Sequence, residues 1–477
     1  MLTRRTFLQS TILASVGIPR VLRALAQQPI SSPHIQPGAP LASVPADFIG
    51  LGYEMSSVAQ PTLFSDQNTK YIQLVRNLGA QGMIRVGGIV SDFTRYVPNG
   101  PSRSEPKDTV IARTDIERLR GFLDSTGWKA IWSVNFGSGT LDDAVAEATD
   151  VHQILGTQLA AVELGNEVEN YGRGTTPLRT PPYDFSRYLA EYRAWHSALL
   201  TAIPGLRFAA PDTAASVEWV VQMAADAPGD VQLLTTHYYR GDQHKGTLDQ
   251  LSHLDPQLQV KLDRLRKASQ SSGIPWRMCE TNSFFGGGRP GLSDTFAGAL
   301  WTLNYLLLLA QSGCAGVNLE TGYNQLGFMS SYSPIRADAA GAIEVGPSYY
   351  GMLAFAAAGA AGASMLAIKP DTPDPDLSIY AIGRQSSAQT AVIINWNELS
   401  PRTISLSSLA MPDGNNAHVL RLTAPSLLSQ SGIRLGDAMV DAAGKWKPAS
   451  EERLRTGSVV VAPASAVVLS QREFAST

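Results

Sequence analysis

Ala160-Ala161-Val162-Glu163-Leu164-Gly165-Asn166-Glu167 is a short apolar run with one acid inside it and an amide and a carboxylate at its end. A strand covered on both faces reads as a nearly continuous hydrophobic stretch, and in a closed parallel barrel the useful polar groups sit at the C-terminal ends of the strands. Trp276-Arg277-Met278-Cys279-Glu280-Thr281-Asn282 has the same form, with Glu280 closing it. Working outward, Phe48 to Met55, Met83 to Gly87, Ala130 to Phe136, Phe208 to Asp212, Gln232 to Tyr238 and Ala315 to Glu320 complete a set of eight candidate strands. Most end in Gly, Asn, Asp, Glu or His, and amphipathic stretches separate them. Repeated βα alternation of this kind predicts an α/β fold, a (β/α)8 TIM barrel.

The intervening helices have readable signals. Thr114-Asp115-Ile116-Glu117 has capping-box spacing, and Ile116, Leu119 and Phe122 then share a face. Tyr188, Tyr192, Trp195 and Leu199 form a core stripe on a helix from Asp184 to Leu200. Ala297 to Ala310 carries no charge, but at about 1.5 Å per residue it is too short for a membrane of about 30 Å, so it reads as a buried barrel helix. After residue 350 the period changes to two. Leu377 to Ile382, Thr390 to Trp396, Ala417 to Leu422, Ser458 to Val461 and Ala466 to Ser470 are short alternating runs between turn residues, the pattern of a C-terminal β-sandwich. The domain reading is therefore a leader at 1–26, an extended segment at 27–45 that joins the sandwich, a barrel at 46–350 and the sandwich at 351–477.

The leader rests on Thr3-Arg4-Arg5-Thr6-Phe7-Leu8, a twin-arginine pattern followed by an apolar stretch to Pro19 and a small-x-small end at Ala24-Leu25-Ala26. It predicts export through the Tat translocase to the periplasm or beyond, with no membrane attachment after cleavage. The chain has 38 basic and 41 acidic residues; cleavage removes Arg4, Arg5, Arg20 and Arg23 and no acid, so 38 − 4 = 34 against 41 leaves a net charge of −7. That balance gives no footprint for nucleic acid. The two cysteines, Cys279 and Cys314, cannot build a thiolate zinc cluster and are expected to be free thiols, with Cys279 turned out of the pore. No His-Glu-x-x-His, Gly-x-Ser-x-Gly or complete dinucleotide fingerprint occurs, and neither metal nor cofactor is expected.

Two carboxylates opening on one barrel mouth suit glycoside cleavage, in which one acid protonates the departing oxygen while the other attacks or activates water. Arg85, in Ile84-Arg85-Val86-Gly87-Gly88, would be costly inside a barrel unless it faced acids, and Glu280 and Glu163 are its expected counter-charges. The glutamate beside Arg85 would stay ionised, and the other would keep its proton. His237, in His237-Tyr238-Tyr239, could orient a catalytic group.

Asn166-Glu167, Glu280-Thr281-Asn282-Ser283 leading to Ser293-Asp294-Thr295-Phe296-Ala297, and Arg85-Val86-Gly87-Gly88 with Asp92 resemble glycoside hydrolase family 79, which includes bacterial β-glucuronidases and the heparanases. The resemblance covers nearly all of the mature chain. It implies Glu167 as acid/base and Glu280 as nucleophile in a retaining, exo-acting β-glucuronidase, with Glu54, Asp92, Asn166 and Tyr238 as sugar-hydroxyl ligands. For a uronate carboxylate it points to Gly287, Arg289 and Tyr332, backed by the need of that group for N–H, hydroxyl or cationic donors. The chain departs from the pattern at Phe285, where the resemblance implies a tyrosine, and at Leu319-Glu320-Thr321, where Glu320 adds an acid. The alternatives are a neutral sugar substrate or a glycan-binding barrel without catalysis.

Overall fold

In a computed structural model, which describes residues 35–322, 329–337, 342–370, 374–384, 387–406, 411, 416–449, 452–455 and 457–474, eight parallel strands close into a barrel. They are β1 (Ile49–Glu54), β2 (Met83–Gly87), β3 (Lys129–Val134), β4 (Leu159–Leu164), β5 (Phe208–Thr213), β6 (Leu233–Asp242), β7 (Trp276–Phe285) and β8 (Gly316–Glu320). Neighbours in sequence pair in order, and β8 closes on β1. The TIM barrel expected from the alternation is present. Two strands run longer than their apolar cores: β6 and β7 continue to pair with each other out to Phe285 and Asp242, because mutual hydrogen bonding carries the ladder past the point where hydrophobicity stops.

The helices bury the stripes read from the sequence. In Arg113–Thr126, Ile116, Leu119 and Phe122 are buried, but the cap lies two residues earlier than the spacing suggested: Ala112 N–H donates to Asp115 at 2.8 Å, and Thr114 is inside the helix. Asp184 caps Phe185–Ala202 by accepting from Arg187 N–H at 3.0 Å. The apolar helix Phe296–Gln311 is buried along nearly its whole length between the barrel and a second layer. Its one interior amide, Asn304, accepts from the Tyr380 hydroxyl of that layer at 2.8 Å, which removes the cost of burying it.

The second layer is antiparallel. Its main sheet runs in the order Ile35–Ser43, Ser364–Pro370, Leu377–Arg384, Ser387–Asn395, Ser465–Ser470, His418–Thr423, Arg434–Leu435, and a two-stranded sheet of Arg402–Ser405 and Ser458–Val461 covers one face. Leu366, Ile393, Val419, Leu469 and Val459 fill the space between the sheets, while Met365, Tyr380, Val392 and Leu420 join the barrel's core on the other side. This is the expected β-sandwich. The strand Ile35–Ser43, from the extended segment that precedes the barrel, lies antiparallel on Ser364–Pro370. Residues 1–26, the expected leader, lie outside the described residues.

Candidate active site

Strand β4 ends at Leu164, three residues earlier than expected, because the backbone turns there. Gly165 has φ 82°, and a Cβ on it would meet the Tyr171 hydroxyl at 2.1 Å. Glu167 itself is left-handed, φ 50°, a strained conformation for a non-glycine residue, and its N–H donates to the Asp212 carbonyl at 2.8 Å. The turn brings Glu167 over the barrel mouth, where its Oε1 lies 3.3 Å from His237 Nδ1 and its Oε2 accepts from Asn170 at 3.4 Å.

Glu280 arrives from β7 through a bulge. Pairing slips between Met278 and Glu280 against β6, and between Met278 and Thr281 against β8. The extra residue breaks the period-two alternation. Cys279 faces inward with Arg277, packed with Met83 and Ile131 and near Glu163 and Asp212, which corrects the expectation that it turns out of the pore. Glu280 points inward as well. It accepts from Arg85 at 2.9 Å and from the Tyr239 hydroxyl at 2.9 Å. One oxygen of Glu280, one of Glu167 and a nitrogen of His237 all lie within 4.8 Å of one another. Both cysteines are free and buried.

Arg85 is the centre of the floor. Fully buried, it donates to Glu163 at 3.1 Å, Glu280 at 2.9 Å, Asp212 at 2.5 Å and the Asn166 carbonyl at 2.9 Å. Burial opposes its charge, but Asp212, Glu163 and Glu280 outweigh that and raise its pKa well above the usual value. The Asn166 amide is thereby oriented by the same guanidinium that holds Glu280. Burial also raises Asp212, yet Arg85 and His237 prevail and bring it down to about 2. Glu163, where burial dominates, is raised to about 7.

His237 lies between acids, with Nε2 at 3.0 Å from Asp212 and Nδ1 facing Glu167 and, at 3.9 Å, Glu280. Burial would strip its proton, but Asp212 and Glu280 raise its pKa well above the ordinary imidazole range. The acids on both sides of the ring favour its cationic form. This corrects the expectation that the glutamate away from Arg85 keeps its own proton: burial pushes Glu167 up, but the hydrogen bond and charge of His237 hold it below the usual value.

Glu54, at the end of β1, accepts from Val90 N–H at 2.9 Å, and Gly88, φ 69°, makes room for it, since a Cβ there would lie 2.1 Å from its oxygen. Burial and then Glu280 raise Glu54 to about 8. Asp92 accepts from the Tyr171 hydroxyl at 2.5 Å, and burial raises it to about 7. Glu320 is buried at the end of β8, and burial followed by Glu280 and Glu54 raises its pKa well above the usual value. Tyr332 is buried with its ring 6.3 Å from Tyr239, and Glu320 and Glu280 are the charges that act on it.

Two expected ligands are not brought to this cluster. Tyr238 faces the opposite side of β6, where its hydroxyl donates to Asp255 at 2.8 Å and its ring stacks on Tyr305. Strand alternation puts His237 and Tyr239 inward together, so Tyr239 occupies the place assigned to its neighbour. Arg289 donates its guanidinium to the Gly246 carbonyl in the loop after β6. Gly286, Gly287 and Gly288 are all left-handed, and Gly287 C=O accepts from Ser331 N–H at 2.7 Å, which ties this loop to the segment bearing Tyr332. Phe285 is half exposed, edge-on to Tyr239. Glu163 is the counter-charge expected for Arg85, whereas Asp212 and Tyr239 were missed as site residues. Only their places at or near strand ends, two residues from an assigned group in the case of Tyr239, could have marked them.

Two trios have ligand atoms close enough for a metal ion: Glu163, Asp212 and Cys279, and Glu167, His237 and Glu280. In the first, Arg85 forms an ion pair with both acids, and in the second His237 Nδ1 faces both glutamates.

No family model matches the chain. A β-glucuronidase of Aspergillus niger is 27% identical over 354 residues, covering 65% of this chain and 62% of that protein; one of Neurospora crassa is 27% identical over 458 residues, covering 80% and 77%. The chain is related to β-glucuronidases. It spans less than two thirds of the length of the Aspergillus relative. The solved structure of a 4-O-α-L-rhamnosyl-β-D-glucuronidase from Fusarium oxysporum superposes with a TM-score of 0.73 at 18% identity, over 91% of this chain and 97% of that one, and shares the fold.

Proposed function

We propose that this protein is a retaining, exo-acting β-glucuronidase of the family 79 type, in which Glu280 attacks the anomeric carbon and Glu167 protonates the departing oxygen. The observation that carries the reading is the approach of Glu167 and Glu280 to within 4.8 Å over a closed barrel. Retaining glycosidases hold their carboxyls about 5 to 5.5 Å apart, whereas inverting ones need about 6.5 to 9.5 Å to seat a water. Arg85 and Tyr239 each donate to Glu280, which presents the carboxylate for in-line attack and leaves as a good acyl partner from the glycosyl-enzyme. Glu167 receives its proton from His237 Nδ1 as the leaving oxygen approaches, and His237 remains anchored on Asp212. After the aglycone leaves, Glu167 takes a proton from water and passes it back to His237, while the water oxygen attacks the anomeric carbon, breaks the bond to Glu280 and releases the sugar with its configuration kept.

The β-glucuronide substrate is supported by the two curated relatives. A neutral pyranoside is the second reading, favoured by the acids Glu54 and Glu320 beside Glu280. Incubation with 2-deoxy-2-fluoro-β-glucuronosyl fluoride should add one sugar mass to the peptide containing Glu280. Absence of labelling, together with initial release of the α-anomer by NMR, would exclude the retaining mechanism. Export by the twin-arginine route belongs to the same proposal: Arg4→Lys with Arg5→Lys should keep the activity in the cytoplasmic fraction.

A further inference from the structure

Six carboxyl groups, those of Glu54, Glu163, Glu167, Asp212, Glu280 and Glu320, surround the cations of Arg85 and His237 in this barrel. A uronate substrate would bring a further carboxylate. Where that group meets the wall decides whether it can enter.

Strand order places Glu320 on the glycone side. Because β8 closes on β1, four strands around from β4, the wall bearing Glu320 lies across the barrel from Glu167, and the aglycone leaves beside Glu167. Glu320 is in register with Gly52, and a Cβ at Gly52 would come within 2.7 Å of Glu320 Oε2, so the glycine makes room for the carboxyl. Asn282 on β7 holds the strand end by donating to the Glu320 carbonyl at 3.0 Å. The charged and titratable groups that face Glu320 are Glu54 from β1, Arg85 from β2, His237 and Tyr239 from β6, Glu280 from β7 and Tyr332 from the following segment. Arg85 is committed to Glu163, Asp212 and Glu280, and His237 to Asp212 and Glu167. Neither is left over to neutralise a sugar carboxylate on this wall.

We propose that Glu320 determines specificity for the glycone: holding its proton, it donates a hydrogen bond to the uronate carboxylate, so an acid sugar is accepted while Glu320 is neutral and repelled once it ionises. A neutral carboxyl both donates and accepts, so it can serve where a cation would be expected. The raised pKa of Glu320, caused by burial and by Glu280 and Glu54, agrees with this. The inference rests on the β-glucuronidase reading of the site.

The test compares kcat/KM for 4-nitrophenyl β-D-glucuronide and for its uncharged methyl ester from pH 5 to 9. Both substrates pass through the same chemical steps, so the ratio isolates what senses the charge on the sugar. The ratio should fall at least about tenfold as pH rises in the wild type and at least about threefold less in Glu320→Gln, where Glu54, raised to about 8 on the same wall, is the acid left to repel the charged substrate. A flat ratio in the wild type, or an equal fall in Glu320→Gln, overturns the assignment to Glu320. If Glu320→Gln does not fold, Glu320→Asp takes its place and should shift the pH of the fall; an unshifted fall again overturns it. If the wild type cleaves a neutral β-glycoside but neither glucuronide form at any pH, the β-glucuronidase reading itself is overturned, and the proposal with it.

Discussion

Replacing Arg85 with methionine keeps much of the side-chain volume and removes the charge that three carboxyls share. Contacts of 3.1 Å to Glu163, 2.9 Å to Glu280 and 2.5 Å to Asp212 are lost at once. Removing one partner of a buried pair costs about 3–5 kcal/mol. The loss here should stay in that range instead of tripling, since the orphaned acids can take up protons. Their response sets the pH dependence. In the wild type, Asp212 is held at about 2 against an ordinary 3.8, so it contributes stability above pH 4 that is lost as pH falls through 2. In Arg85→Met the pKa values of Asp212 and Glu163 rise, folding must retain protons that the unfolded chain has released, and the deficit grows with pH. Urea denaturation of both proteins at pH 5 and pH 7.5 measures this: the variant's midpoint should be lower at both, and the gap wider at 7.5. Glu280 loses a charged donor and Asn166 its anchor, so kcat should fall by about 10²-fold or more. A variant that matches the wild type in midpoint and kcat at pH 7.5, or that is worse off at pH 5, would refute the network.

Glu167→Ala should lose far more rate on a poor leaving group than on a dinitrophenyl glycoside, and azide should rescue it with a β-azide product; Glu280→Ala should instead yield the α-azide, by roughly 10³-fold or larger effects in kcat for each. Product NMR assigns the two roles. Tyr239→Phe should reduce kcat about tenfold or more by removing the donor to Glu280, whereas Tyr238→Phe should leave kcat nearly unchanged, and steady-state kinetics of the pair tests which tyrosine faces the pore. Glu54 at about 8, Asp92 at about 7, Glu147 at about 8 and Glu163 at about 7 all bind protons more tightly folded than unfolded. Stability should therefore fall as pH rises from 5 to 8, each group contributing up to about 1.4 kcal/mol per pH unit, and a denaturation midpoint that increases over that range would contradict the burial of these acids. Burial raises the pKa of Cys279 well above the usual thiol value, so iodoacetamide should modify it in urea but not in the native protein, as read by mass spectrometry.

What could be read from the sequence was whatever depends on one strand at a time. Apolar runs of strand length fixed the positions of all eight barrel strands to within a few residues, and a charged residue at the end of such a run has few places to go except the mouth or a buried partner. Hence Glu167, Glu280 and Arg85 could be named, along with Glu163 as a counter-charge. Side chains whose direction depends on a neighbour could not. Tyr238 and Tyr239 are equivalent in composition, and only pairing with β7 decides which one turns inward. Cys279 was assigned by counting back from an inward Glu280, and the slip in pairing after Met278 lets both residues face inward. The charge state of Glu167 was misjudged for a related reason. It depends on His237, seventy positions away, and on Asp212, an acid closing an apolar strand whose partners could not be read from that strand alone.

The bulge at Cys279 also explains how so much charge is tolerated. By turning two consecutive residues inward, β7 places an uncharged thiol at the level of Glu163 and Asp212 and lifts Glu280 to the level of Tyr239 and His237. With regular alternation from Arg277, another inward-facing residue, the next inward side chain would be Cys279 and the one after it Thr281, and no carboxylate from this strand would reach Arg85. Thr281 instead lies on the outer face, its hydroxyl at 2.8 Å from Tyr305. The inward position of Glu280 thus depends on a one-residue slip in a ladder, while the acids around it are divided by their neighbours. Those touching Arg85 and His237 on both sides, such as Asp212, are driven toward the charged form, and those on the β8–β1 wall, Glu54 and Glu320, toward the neutral one. Contact with one cation is not enough to do this: Glu163 touches Arg85 alone and burial still raises it to about 7, whereas Asp212, held by Arg85 and His237 together, is brought down to about 2.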